Sequence, residues 1–360
     1  MQFIVVGAGA IGGTVGAYLL RGGYEVLFVD ADAAHVDAIN SAGLTVEGLE
    51  TFTVRARAIL PAELEEVLLS GDTTQVADSL RPIEGPVLLC VKAMHTEAAL
   101  GPVVPLLGRE GYIVSLQNGL NEHTIAARVG PERTVGAFVN FGADYLAPGR
   151  VTYGGRGALY FGELDGRISE RVRMLAEVFR QAFLPNTMAT DNIWGYLWGK
   201  LGYGSMLFAT ALVDESIADV LGHLPFRPML ANLAAETIRV AEAEGVRCEG
   251  FDGYDPAAFA FREPRDWSGI AASLDRLVEF NRRSLKAKSG VWRDLAVRRR
   301  KTEVDQIVGA VVTVAARHGV PVPLNARLQE MIHDLEEGRR RMHRDNLAEL
   351  SALNAEVYGE

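Results

Sequence analysis

The chain has 360 residues, 48% of them hydrophobic and 23% charged, which suits two domains with cores of their own and excludes disordered, collagen-like and disulfide-scaffold classes. A formal net charge of -10 speaks against the basic footprint that polynucleotide binding requires, so no nucleic-acid partner is expected. The two cysteines, Cys90 and Cys248, show no metal-ligand spacing, and no apolar run reaches the roughly 18–20 residues of a bilayer span, so neither a metal nor a membrane is expected.

Met1 to Val6 opens on a strand pattern rather than a secretory signal, which predicts a soluble, cytoplasmic protein. Short apolar runs then alternate with helical patterns: a strand at Phe3–Val6, a helix from Ile11 to about Leu20, a strand at Glu25–Val29 and a helix at Ala33–Ala42. This alternation predicts parallel strands joined by helical crossovers. Val87–Val91, Tyr112–Ser115 and Thr134–Val139 are continuously apolar, as strands covered on both faces are. Between Gly142 and Gly162, Arg150–Tyr153 and Ala158–Phe161 read as an antiparallel hairpin at the sheet edge. The expectation is a doubly wound α/β domain over residues 1–190 and an all-helical domain over 191–360.

Helical patterns in the second part cover Trp194–Val213, Arg227–Glu244, Ser268–Lys286 and Thr302–His318, with a charged pattern from Arg327 to Tyr358 broken near Gly338. Cys248–Trp267, rich in Gly, Pro and Asp, reads as an ordered surface loop, and Arg339-Arg340-Arg341 as a solvated face.

Gly7-Ala8-Gly9-Ala10-Ile11-Gly12 lies between a strand and a helix pattern, the context that makes a glycine fingerprint specific for a dinucleotide. Gly7 permits the turn, Gly9 lets the backbone approach a pyrophosphate, and Gly12 lets helix and strand pack closely. Asp30 ends the second strand, where a carboxylate accepts from both hydroxyls of the adenosine ribose and repels a 2′-phosphate. NAD(H) is therefore favoured over NADP(H). The competing reading is that Asp30 caps the helix that follows. Lys92 and Asn118 follow later strands, on the ligand side of a doubly wound sheet, and read as nicotinamide-end residues against a surface lysine and a simple turn.

Lys200 stands in a helix otherwise apolar enough to be buried, which requires a partner or a purpose. An ammonium there can deliver a proton to a carbonyl oxygen on which charge develops; the alternative is a snorkelling lysine. Thr302-Glu303 looks like a helix start, where Glu303 can equally complement the helix dipole.

Taken together, the glycine motif, Val91-Lys92, Gln117-Asn118-Gly119, Trp198-Gly199-Lys200-Leu201 and Lys301-Thr302-Glu303-Val304-Asp305 resemble the ketopantoate reductase family over nearly the whole chain. The resemblance implies a Rossmann domain followed by a helical domain of the 6-phosphogluconate-dehydrogenase-like C-terminal type, a cleft active site and a homodimer. It also implies Lys200 as general acid, Glu303 as active-site carboxylate, Asn118 as an amide near nicotinamide and substrate, and Lys92 as a lysine beside the cofactor. Ser289 is the nearest match to the family's substrate-binding serine, although the spacing from Asp294 to Glu303 is slightly long, and Arg293 is a candidate replacement for lost polar contacts. Gly204 and Phe208 stand where ketopantoate-reducing members carry asparagines, which predicts a more apolar substrate. The leading expectation is reduction of a 2-oxo acid or related small carbonyl. A hydroxy-acid or alcohol dehydrogenase working oxidatively, and a catalytically silent NAD(P) sensor, are the alternatives.

Overall fold

β-Branched and aromatic runs without polar interruption build a sheet covered on both faces. The structure, a computed structural model, describes residues 2–70, 82–283 and 287–359. It forms two units, Met1–Ile193 and Trp194–Glu360.

In the first unit the described strands are β1 (Gln2–Val6), β2 (Glu25–Val29), β3 (Leu44–Gly48), β4 (Phe52–Val54), β5 (Arg57–Ile59), β6 (Pro86–Leu89), β7 (Tyr112–Ser115), β8 (Thr134–Ala147), β9 (Arg150–Glu163) and β10 (Thr187–Ala189). Helices α1 (Ala10–Arg21), α2 (Ala33–Ala42), α3 (Leu64–Ser70), α4 (Thr96–Leu100), α5 (Asn121–Val129) and α6 (Glu170–Ala182) lie between them. The strand order is β4-β3-β9-β8-β7-β6-β1-β2-β5, with β10 also on β9. From β8 to β5 all pairs are parallel, the Rossmann arrangement that leaves a crevice beyond the strand ends.

The expected hairpin is corrected. Arg150–Tyr153 and Ala158–Phe161 belong to one strand, β9, which pairs antiparallel with β8 and lies inside the sheet. The turn is Pro148-Gly149, where Gly149 takes φ 73. Glycines 154, 155 and 157 instead mark a bend: the register shifts beside Asn140 and Gly142, and Gly142 pairs with Gly155. The far halves of β8 and β9, joined by β3, thereby fold over α1, and Gly12 to Leu19 are all buried.

The second unit contains α7 (Ile193–Thr210), α8 (Ile217–Gly222), α9 (Arg227–Ala243), α10 (Pro256–Phe259), α11 (Trp267–Arg283), α12 (Gly290–Ala296), α13 (Val304–His318), α14 (Pro323–Glu336) and α15 (Arg344–Tyr358). Residues 284–286 of the helix expected to end at Lys286 lie outside the described residues. Cys248–Trp267 is a surface loop only in part: Arg262, Glu263 and Pro264 are exposed, but its centre turns inward around α10. Tyr254 and Phe259 are 2% and 0% exposed, because an aromatic-rich segment gains more from burial than its Gly and Pro content suggests. The arginine run is also more than a solvated face, since Arg340 bonds Asn346 and Glu349 and so ties α15 to the turn after α14. Glu236 on α9 accepts from the backbone N–H groups of Leu324 and Asn325, 3.0 and 2.9 Å away, and so satisfies the N-terminus of α14.

Candidate active site

The glycine turn carries the local geometry expected of a dinucleotide loop. Gly7 adopts φ 93, and a Cβ there would lie 2.8 Å from the Val91 nitrogen. One on Gly12 would lie 2.0 Å from the Gly7 carbonyl oxygen, so the helix meets the turn only because Gly12 lacks a side chain. At Gly9, by contrast, an added Cβ meets nothing within 4 Å. The first-turn amides of α1 have no intrahelical acceptors, so this open backbone fits a pyrophosphate.

Asp30 does not cap α2. That part falls to Asp32, which accepts from the Ala34 and His35 amides, while Asp30 sits too early in the chain to reach them. The Asp30 carboxylate instead accepts from Ala8 N–H at 2.6 Å and from Asp32 N–H at 2.9 Å, which places it against the glycine turn.

Lys92 and Asn118 follow β6 and β7, neighbouring parallel strands, and a buried network fastens their loops together. Gln117 donates to the Val91 carbonyl oxygen and to Thr96 Oγ1, each 2.9 Å away, and Asn121 donates to the Asn118 carbonyl oxygen at 2.6 Å. Gln117 is 4% exposed and Asn118 is exposed. The positioning parts of Gln117, Thr96 and Asn121 were not legible in the sequence, although Gln117, Asn118 and Asn121 around Gly119 were a visible signal. Glu122, in the first turn of α5, is fully buried, and that burial pushes its carboxyl up to about 7.

In the second unit α7 owes its seating to glycine. A Cβ on Gly199 would lie 2.2 Å from the Glu249 carbonyl oxygen and one on Gly202 2.6 Å from Tyr254 Oη, while Glu249 N–H donates to the Gly195 carbonyl oxygen at 2.9 Å. Another face of the helix presents Tyr196, Lys200, Gly204 and Leu207 as a half-buried stripe at helical spacing. Burial brings the Lys200 ammonium down to about 8, and the negative charge of Glu303 works against that fall. Glu303 occupies the N-cap position of α13 without using its side chain as a cap. Thr302 does that work: its hydroxyl accepts from Val304 N–H at 3.1 Å and donates to Glu336 at 2.7 Å. One turn beyond Glu303, Ile307 lies 3.4 Å from the Cβ position of Gly204, so the pairs 200/204 and 303/307 run alongside each other.

Phe208 points elsewhere. It is 2% exposed within the helical core, and Leu207 takes the half-buried place beyond Gly204. Ser289 caps α12, accepting from Trp292 N–H at 3.1 Å, and Arg293 is half-buried on the same helix. Asp214 anchors this segment by accepting from Trp292 Nε1 at 3.0 Å and pairing with Lys288. Between Asp294 and Glu303, Arg299 adopts φ 48, while its neighbours Arg298 and Arg300 both bind Asp294.

Both cysteines are free thiols, no group of His, Cys, Asp and Glu among the described residues is arranged to hold a metal, and no described helix is long and apolar enough to cross a membrane.

A parallel sheet with a glycine-turn helix, followed by a helical domain that holds a half-buried lysine near a glutamate, defines an NAD(P)-dependent oxidoreductase. Residues 3–166 match the family described as ketopantoate reductase PanE/ApbA, and residues 192–336 match its C-terminal counterpart. Together these matches span most of the chain, and the protein belongs to the ketopantoate reductase family. Among curated relatives, 2-dehydropantoate 2-reductase of Archaeoglobus fulgidus is 28% identical over 341 residues, covering 93% of this chain and 97% of the relative. The enzyme of that name from Pyrococcus horikoshii is 26% identical over 333 residues, covering 92% and 96%. Among solved structures, a PanE/ApbA family ketopantoate reductase from Ralstonia eutropha superposes with TM-score 0.74 at 25% identity, over 94% of this chain and 99% of that one. The fold is also that of D-mandelate dehydrogenase in complex with NADH and anilino(oxo)acetate, with TM-score 0.75 at 22% identity over the same shares of the two chains.

Proposed function

We propose that the protein reduces a 2-oxo acid or a related small carbonyl to the alcohol, with NAD(H) favoured as cofactor and Lys200 as proton donor. The observation that carries this reading is the half-buried Lys200, whose ammonium is lowered to about 8 while Glu303 opposes the loss of its proton. Such a group holds its proton at neutral pH and yields it readily. The bound dinucleotide supplies the hydride. Lys200 donates to the carbonyl oxygen as negative charge develops there, and Glu303 keeps the ammonium charged beforehand. Gly7, Gly9 and Gly12 open the backbone to the pyrophosphate, and Asp30 receives the ribose hydroxyls. Lys92 and Asn118 belong to the nicotinamide end, and Ser289 and Arg293 to the substrate. The stripe beyond Lys200 offers Gly204 and Leu207 and no side-chain amide, which supports a substrate less hydroxylated than ketopantoate.

The test is NADH and NADPH oxidation against a panel of 2-oxo acids, ketopantoate and more apolar analogues among them, for the wild type and for Lys200→Met. The variant is expected to lose turnover by about 100-fold or more while keeping NADH affinity. Equal turnover in the two proteins removes Lys200 from the chemistry. NADH binding without turnover across the panel overturns the reductase reading.

A further inference from the structure

The Gly7-Ala8-Gly9 turn is held from a side that no fingerprint marks. His35, in the first turn of α2, is 1% exposed. Its Nδ1 accepts from Gly149 N–H at 2.9 Å. On a neutral ring the proton therefore sits on Nε2, which donates to the Ala8 carbonyl oxygen 2.9 Å away. Ala8 N–H meanwhile donates to Asp30. Both backbone groups of the residue between two glycines thus end on side chains, one from the end of β2 and one from α2. Glycine-flanked backbone is otherwise permissive, so these two bonds select its conformation. Gly149 is seated on α2, where its Cβ position lies 3.1 Å from Ala38 Cβ. Tyr145, from β8, closes the remaining side of the imidazole with an edge contact at 5.1 Å and donates to Asp32 at 3.4 Å.

We infer that His35 is a positioning residue for dinucleotide binding, fixing the Ala8 carbonyl so that the amides at the start of α1 are already aimed at a pyrophosphate. The inference rests on the dinucleotide reading of the glycine turn. Without the imidazole, the Ala8 carbonyl and the Gly149 N–H lose their partner in a buried place, and the turn must be ordered by the ligand instead.

The experiment is fluorescence titration of the full chain with NADH, giving affinity and stoichiometry, beside a thermal melt of each variant. His35→Gln retains one donor and one acceptor at about the ring-nitrogen separation and is expected to bind NADH as the wild type does. His35→Leu is expected to weaken NADH binding about tenfold or more at unchanged stoichiometry. Should the leucine variant not fold, His35→Asn, whose amide is too short to reach the Ala8 carbonyl, must show the same loss. Equal affinity in all variants refutes the role, and so does a glutamine variant as weak as the leucine one. A wild-type chain that binds neither NADH nor NADPH overturns the dinucleotide reading itself.

Discussion

Replacing Lys200 by methionine should make the protein more stable while it cuts turnover by about 100-fold or more. The ammonium is brought from 10.5 to about 8 by burial, and at 1.36 kcal/mol per pH unit this corresponds to about 3 kcal/mol spent on holding the charge in place at neutral pH. Methionine keeps the apolar stem and removes the charge. That shift already includes the opposing attraction of Glu303, so the net gain is at most about 3 kcal/mol, or several degrees in Tm for a domain of this size. The pH dependence carries the sign. Lys200 titrates near 8 in the folded chain and near 10.5 when unfolded, so between those values the unfolded state binds more protons and wild-type stability climbs with pH. The advantage of methionine is therefore fullest below pH 8 and fades toward 10.5. Thermal melts of both proteins across that range measure it. A methionine variant less stable at neutral pH, with a difference that does not change with pH, refutes the argument.

Glu303→Gln removes the influence that holds the Lys200 proton, so the alkaline limb of the reduction rate should move down by about one pH unit, read from a pH–rate profile. An unmoved limb separates the two residues. Asp30→Asn keeps an acceptor for the Ala8 amide but removes the charge, and should shift the NADPH-to-NADH affinity ratio about tenfold or more toward NADPH, measured by titration with each cofactor. Gly199→Ala forces a methyl against the Glu249 carbonyl oxygen, which is backbone and cannot swing aside. Its expected cost is about 2–4 kcal/mol with a lowered Tm, and an unchanged melt would show that α7 yields without penalty.

The parallel strands and the glycine turn were legible because their signals are local: continuous apolar runs, and three glycines between a strand and a helix. α2 begins and ends at the expected residues for the same reason. The β8–β9 pair was misread because glycine marks both turns and bends, and only the partner strand distinguishes them. Phe208 shows a similar limit. Helical spacing puts residues 204, 207 and 208 near one face, but packing decides which of the last two is turned inward. The loop lock through Gln117 and the grip of His35 on Ala8 join residues 21 and 27 positions apart, respectively, and no periodicity reports such pairings.

The strand pair that folds over α1 also bears on how the first unit is acquired. β3 finds its partner β9 only after about a hundred intervening residues have been made, Thr45 pairing with Arg150. The helix at the glycine turn keeps an uncovered apolar flank until then, so the N-terminal half is not an autonomous folding module. Pairing across so long a stretch carries a loop-closure entropy that local contacts do not, and a chain that stops before β9 leaves exposed the apolar flank of α1 that the complete unit covers.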